Sequence, residues 1–576
     1  MALILLAGAG YAMYKQKQDG NDGVKEFKDY ENDPAIISIF NDDNDAIKNV
    51  EFLPEELTEG QYSNSLTTIT FYKGDYLTIQ KKLENRINEV LLKNPWIGGR
   101  LFVKPGEDNL KLWFDSKCKD VPPNIYTCYE PGEIPLKRAT KYAQYNDYIV
   151  DFPVLVPNLS GLVGKNHPVL KISIIPDVVE HHERFAIIMS QSHMVGDAHT
   201  YYKIYHMLFD SKNDQNNNSG MINAGPIERM NPVRRQDVKY HIEKYMGVQA
   251  ASFFRQTNTN IADELYNKVM QNTQDSSILT NDKKKTMLFT VSHCWLKNRM
   301  KECIGEKITD KDDNELSEIH PTDVLMSWWF NTSDADIGLI PHHLRKELTV
   351  LDEMDAGNYN TPIPFTKFEY RTPHQIHESI KKGKRVTLDV EKASSSLPRI
   401  TTGYTFAMGV DWDKHYSGRV WNSNNSETDD ENRNNRDDAG IKKDLHVPLF
   451  TNQDFSGLPD KVNLCLLFTA EPGRQHRVND DDNDNDDDDD KNKKEARIGM
   501  LIIAAEAICD KVIKSGIIDD DTESSKTTAL TGFTGSRRSS FIDFGDTIDL
   551  ELILQENENG GTKLPLSPVA SSTEYT

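Results

Sequence analysis

The sequence predicts an α/β (α+β) protein of two domains, and three observations carry that prediction. Its 576 residues exceed what one ordinary hydrophobic core organises. Strand-like apolar runs alternate with amphipathic segments of helical spacing twice over, once before residue 210 and again from about residue 281. Around these two series lie polar and acidic stretches, whose composition suits loops and tails rather than core.

In the first series, Thr67–Tyr72 (TTITFY) reads as a strand. Residues 77–94 follow as a helix, with Leu77, Leu83, Ile87, Val90 and Leu91 at helical spacing, and Asn94 and Pro95 stop it. Leu101–Val103 and Leu110–Phe114 flank a Pro-Gly-containing turn and read as a hairpin. Val169–Ile175 and Arg184–Ser190 are the clearest strands in the chain. A helix with Tyr201, Ile204, Tyr205 and Leu208 on one face comes directly after. Residues 210–235 read as a loop or linker and 236–280 as a helical crossover.

The second series runs through a strand at Met287–Val291 and helices at Cys294–Glu302 and Pro321–Phe330. Strands at Tyr404–Val410, Val462–Phe468 and Ile498–Ile503 follow, with a closing helix to about Lys514. The expected organisation is an apolar N-terminus and polar lead at 1–45, a first domain at 46–225 and a crossover at 226–280. A second domain with acidic loop insertions covers 281–515, and a disordered tail covers 516–576.

The net charge of −23 is concentrated. Asp480–Asp490 (DDDNDNDDDDD) carries −9 and Glu427–Asp438 (ETDDENRNNRDD) carries −4, which leaves −10 for the rest of the chain. An acidic chain without a basic stripe argues against nucleic-acid binding, which needs clustered Lys and Arg against phosphate. The aspartate run lacks the spaced ligands and sharp-turn glycine of a calcium loop and reads as a solvated insertion. Six scattered cysteines, with no CxxC pair or zinc-like spacing, read as mostly buried thiols of a reducing compartment.

Residues 2–14 are apolar and precede Lys15 and Lys17. As a helix they would reach only about 20 Å, short of a bilayer core. They are read as a signal sequence, an interfacial anchor or merely an apolar start, so the expected location is cytoplasmic or membrane-associated through this segment.

A His four residues before an Asp occurs at His193/Asp197, His206/Asp210 and His476/Asp480. Spacing alone therefore decides nothing. His476 adjoins the acidic run, and His206 lies within a helix one turn from Asp210, the spacing of a surface pair. His193 differs, because it stands where a strand of buried character hands over to a helix, beside the small residues Gly196 and Ala198. Small residues admit close approach of a ligand or backbone. Imidazole at such a place can take a proton near neutral pH.

Strand, Ser192–Asp197 (SHMVGD), then helix resembles the active-site segment of the BAHD-like acyltransferases of the chloramphenicol-acetyltransferase-like superfamily. Other landmarks stand in that family's order. Leu91–Leu101 (LLKNPWIGGRL) resembles an early family segment, and Pro321–Trp329 (PTDVLMSWW) resembles the helix opening the second domain. Gly357-Asn358 resembles a recurrent pair, and Asp454–Pro459 (DFSGLP) resembles the DFGWG loop. Asp543-Phe544-Gly545 is a nearer literal match, but nothing of the expected strand-strand-helix series follows it. This chain departs from the family pattern in Ala198 where Gly is usual, in Ser456 and the missing Trp of the DFGWG loop, and in an acidic approach to Gly357-Asn358 (TVLDEMD, 349–355) where arginine is expected.

The resemblance implies two chloramphenicol-acetyltransferase-like domains of mixed β-sheet flanked by helices, with the active site in a channel between them. It implies transfer of an acyl group from an acyl-CoA thioester to a hydroxyl or amine of a small-molecule acceptor, with His193 as general base and no metal. Asp197, Gly196, Asp454 and Gly457 would organise the site. Ser423 would contact the oxyanion or substrate, although a surface loop position is the plainer reading of that residue. The chain is expected to act as a monomer. Two alternatives stand beside this reading. One is a lipid-directed acyltransferase of wax-ester or diacylglycerol type, which commonly carries a second His where this chain has Ser192. The other is a non-catalytic binding protein that keeps the fold.

Overall fold

The computed structural model describes residues 45–52, 65–104, 110–117, 124–140, 142–149, 151–157, 159–209, 227–232, 236–246, 284–305, 319–386, 405–412, 441–450, 462–471 and 497–519. Residues 2–14, both acidic runs, the segment 516–576 beyond Asp519 and most of the crossover lie outside them; of the crossover, residues 227–232 and the helix Gln236–Met246 are described. No helix among the described residues is long and apolar enough to cross a membrane.

Two sheets dominate. The first has five strands: β2 (Leu66–Lys73), β5 (Tyr126–Cys128), β6 (Leu170–Pro176), β7 (Arg184–Gln191) and β12 (Lys442–Pro448), in the order β12-β2-β7-β6-β5. All its pairings are antiparallel except β5 with β6. The second has six: β8 (Lys284–Thr290), β9 (Ile337–His343), β10 (Asn360–Thr366), β11 (Phe406–Asp411), β13 (Val462–Glu471) and β14 (Arg497–Ala505), in the order β10-β9-β11-β13-β14-β8. There β9, β11 and β13 run parallel and the outer pairs antiparallel. A small third sheet, order β1-β4-β3, holds the hairpin of β3 (Arg100–Val103) and β4 (Leu110–Asp115), extended by β1 (Ile47–Glu51). The mixed sheets with flanking helices are the fold class the sequence predicts.

Helix α1 (Tyr76–Lys93) begins where Asp75 accepts a hydrogen bond from the Leu77 amide. It buries Ile79, Leu83, Ile87 and Val90 at steps of four, four and three. Leu77, read from sequence as part of this face, is 52% exposed, because it lies on the opposite side from that stripe. Helix α2 (Tyr142–Ile149) follows the hairpin, and α3 (Ala198–Phe209) packs Tyr201, Ile204, Tyr205 and Leu208 inward, as their spacing predicts.

In the second half, α4 (Gln236–Met246) precedes α5 (His293–Gly305), α6 (Pro321–Ser333), α7 (Pro373–Lys381) and α8 (Glu506–Lys514). Helix α6 lies against β11. The fully buried Trp329 donates its indole N–H to the Met408 carbonyl at 3.1 Å. Gly409 is a glycine for a steric reason, since a Cβ there would sit 2.1 Å from the Met326 sulfur.

Strand β12 falls within the second series in sequence, between β11 and β13, yet completes the first sheet, antiparallel to β2. Buried hydrogen bonds explain its seat. His446 on β12 bonds Thr70 Oγ1 at 2.8 Å and the Tyr202 hydroxyl at 3.1 Å, so strand, sheet and α3 are tied through one imidazole. Burial holds that ring neutral, its pKa well below the usual value. His446→Leu is expected to destabilise the protein by about 1–3 kcal/mol, because two buried hydroxyls lose a partner. Thermal unfolding checks this, with His446→Gln retaining part of the loss.

Candidate functional site

Between β7 and α3 the chain makes a tight turn whose neighbours fix the placement of His193. The Ser192 amide bonds the Val169 carbonyl at 2.8 Å, continuing the sheet, and the Val195 amide closes a turn on the Ser192 carbonyl at 3.2 Å. The Ser192 hydroxyl accepts the Met194 amide at 3.3 Å, so this residue shapes the turn. Met194 and Val195 are driven into the core, 0% and 1% exposed. His193, between Ser192 and these two anchors, keeps limited solvent access while its ring Nδ1 is buried.

Burial of the ring lowers the His193 pKa to about 4, against the opposing pull of Asp197. At neutral pH the imidazole is uncharged and has a lone pair to accept a proton. Its main chain is held from the other half of the molecule, where Asn358 Nδ2 donates to the His193 carbonyl at 2.8 Å.

Asp197 does not face His193 as a triad partner; its carboxylate is buried and saturated by other groups. Arg345 Nη1 donates to Oδ2 at 2.9 Å and Nη2 to Oδ1 at 3.3 Å. The Thr200 amide (3.0 Å) and hydroxyl (3.2 Å) donate to Oδ1, while the Tyr359 amide (3.2 Å) and Asn360 Nδ2 (3.0 Å) donate to Oδ2. Burial alone would raise the pKa of this carboxyl, but the Arg345 guanidinium and its hydrogen bonds hold it well below the usual carboxylate range.

Arg345 spends its remaining N–H groups on the same junction. They reach the Asp355 carbonyl at 2.7 Å, the Gly357 carbonyl at 2.8 Å and Thr200 Oγ1 at 3.1 Å, and the guanidinium lies 4.9 Å from the Tyr359 ring centre. A buried, bidentate, cross-half ion pair therefore clamps the loop bearing His193 onto the Gly357-Asn358 segment. The acidic approach to that segment has a local structural use. Asp355 accepts the Asp352 amide at 2.9 Å, and Asp352 accepts the Met354 amide at 2.8 Å, which folds the stretch back on itself.

Gly196 lies against Thr200. A Cβ at this position would come within 2.4 Å of the Thr200 methyl and 2.9 Å of its hydroxyl oxygen. Thr200 cannot yield easily, being β-branched and bonded to Asp197, Gly357 and Arg345. Gly196→Ala is expected to cost about 1–3 kcal/mol through this overpacking, read as a lowered unfolding midpoint. The same shift of Thr200 would loosen the clamp beside His193.

The structure thus brings His193, Gly196 and Asp197 together with Gly357 and Asn358. Ser423, Asp454 and Gly457 lie outside the described residues. Sequence reasoning missed Arg345, Thr200, Tyr359 and Asn360, the partners that make Asp197 a brace. The expected arginine is present, but ten residues before Asp355 rather than adjoining Gly357-Asn358.

No family model and no curated protein matches the chain. Solved structures do resemble it. That of F. graminearum TRI101 with coenzyme A and T-2 mycotoxin is 10% identical with a TM-score of 0.46, covering 81% of this chain and 97% of that one. Vinorine synthase is 11% identical with a TM-score of 0.44, covering 82% and 94%. Polyketide synthase associated protein 5 from Mycobacterium tuberculosis is 10% identical with a TM-score of 0.41, covering 81% and 97%. Likeness at this level carries no argument about chemistry. The residues must carry it.

Proposed function

We propose that this chain is an acyltransferase that moves an acyl group from an acyl-CoA thioester to a hydroxyl or amine of a small-molecule acceptor, with His193 as general base. The observation that carries the reading is the placement of His193. It is held on a tight turn and fixed from the second half through Asn358 and the Asp197–Arg345 pair, where burial favours the neutral imidazole. The resemblance of SHMVGD and its ordered landmarks to BAHD-like enzymes supports the choice of thioester and acceptor.

In the proposed reaction His193 takes the proton of the acceptor as its oxygen or nitrogen attacks the thioester carbonyl. The tetrahedral intermediate then collapses: the new C–O or C–N bond is kept, the C–S bond breaks, and the coenzyme A thiolate receives the proton from the imidazolium. Asp197 takes no proton in this scheme, because it stays ionised against Arg345. Its part is to keep the base in place, and misplacement of a reacting group by about 1 Å can cost about 100-fold in rate. Asp454, Gly457 and Ser423 keep the loop-organising and oxyanion-contact roles that the resemblance gives them.

The test offers the purified full chain a panel of acyl-CoA thioesters with alcohol and amine acceptors and follows release of free thiol. Acceptor-dependent release by the wild type, abolished in His193→Ala, is the expected result. Equal, slow release by both proteins would overturn the proposal and favour a non-catalytic binding role.

A further inference from the structure

We infer that His199, His343 and Glu353 form a binding site for a late first-row divalent cation, of which zinc is the natural probe, and that the ion staples the two halves together beside the Asp197–Arg345 clamp. This inference does not depend on the acyl-transfer reading, since the ion is given a structural place and no step of the reaction.

The three residues are far apart in sequence and come from both halves. His199 is in the first turn of α3, His343 ends β9, and Glu353 lies in the loop leading to Gly357. Their ligand atoms all lie within 4.8 Å of one another, and among the described residues they form the one group of three or more His, Cys, Asp or Glu so arranged. The two imidazoles are neighbours, ring centres 4.4 Å apart at 45°. His199 Nε2 is 3.6 Å from Glu353 Oε2 and lies 3.1 Å from the Glu353 backbone carbonyl, a hydrogen bond that the ion would replace.

Tetrahedral zinc with ligand bonds of about 2.0–2.2 Å needs donors about 3.3 Å apart. One separation is thus close to the required length, and the others, each within 4.8 Å, need to close by at most about 1.5 Å. The half-exposed Glu353 side chain can close its own two separations by changing rotamer, and rotation of the two imidazoles sets theirs. His199 and His343 stand on regular secondary structure, which gives two firmly placed ligands and one adaptable one.

Charge and donor type point to the same class of ion. Two imidazole nitrogens and one carboxylate suit zinc, cobalt or nickel, whereas magnesium and calcium demand oxygen donors throughout. The buried Asp197–Arg345 pair is neutral as a unit, so the carboxylate of Glu353 leaves the pocket of donors negative. Lys346 approaches the other Glu353 oxygen at 3.8 Å, but its side chain is 78% exposed and can swing into solvent. Three protein ligands leave a position for water, which completes four-coordination.

The full chain, stripped with a chelator and dialysed, would be titrated with cobalt(II) and separately with zinc. The expected result is one equivalent of cobalt giving a saturable visible absorption band. Zinc should raise the thermal midpoint by several degrees, by mass action on the folded state, and magnesium at the same concentration should not. Glu353→Gln, a substitution at a surface carboxylate that leaves the packing intact, is expected to weaken cobalt binding about 10–100-fold, and His343→Ala to abolish the band. Absence of a saturable band overturns the inference. So does a band of unchanged intensity and affinity in both variants, which would place the ion on others of the sixteen histidines. Equal stabilisation by magnesium would do the same, since it would report general screening of acidic charge.

Discussion

Arg345→Met is expected to destabilise the protein by about 3–5 kcal/mol, the largest stability effect of any single substitution at this site. The side chain is 0% exposed and its partner carboxylate 2%, so removing the guanidinium leaves a carboxylate charge in the interior. It also removes hydrogen bonds to the Asp355 and Gly357 carbonyls and to Thr200. Arg345→Lys should recover little, because a single ammonium cannot reproduce a planar fork that serves Asp197 and two carbonyls at once. The double variant Asp197→Asn/Arg345→Met should be more stable than Arg345→Met alone, since the uncompensated charge is gone. Unfolding midpoints of the wild type, Asp197→Asn, Arg345→Met and the double variant in one buffer measure the coupling. Additive losses would show that the two side chains act independently and that no clamp exists.

The sequence made the centre of each sheet legible and left the edges obscure, for reasons visible in particular residues. Strands β6 and β7 are buried along nearly their whole length and read as continuous apolar runs, so they stood out. Strand β12 (KKDLHVP) carries lysines and an aspartate at the edge of its sheet, and its identity comes from pairing with β2 rather than from its own pattern. Strands β9 and β10 contain Pro341, Pro362 and Pro364, which argue against strand in any single-sequence reading, yet Pro341 and Pro362 stand opposite each other in register.

That missed hairpin is also why Arg345 was missed. His343 pairs with Asn360, so the connection between β9 and β10 folds back and sets Arg345 beside Gly357 and Tyr359. Counting along the chain puts acidic residues before Gly357-Asn358, whereas the paired strands bring the arginine there through space. The histidine motif was legible because its signal is local: strand end, small residues, helix start. The groups that hold it, and the His199, His343 and Glu353 cluster, depend on which strands pair, and no spacing rule reports that.

His193→Ala is expected to lower kcat/KM for acyl transfer by about 100- to 10,000-fold, the range for loss of a general base, while leaving the unfolding midpoint little changed. The residue is not fully enclosed, and the anchors of its turn are Met194 and Val195 rather than the imidazole. The pH profile distinguishes a base from a residue that merely shapes the site. A general base works in its neutral form, and burial lowers the His193 pKa to about 4. Activity should therefore hold as pH falls through 6.5, the usual histidine range, and be lost only near pH 4. Stability moves in the opposite sense to a paired histidine. Below about pH 6.5 the unfolded chain binds a proton that the folded ring refuses until about pH 4, so this residue destabilises the fold progressively across that window. His193→Gln removes the titration and should flatten that part of the stability-against-pH curve even while it abolishes activity. An acid limb of kcat/KM near 6.5 that persists in a stable His193→Gln protein would assign the proton transfer to another group.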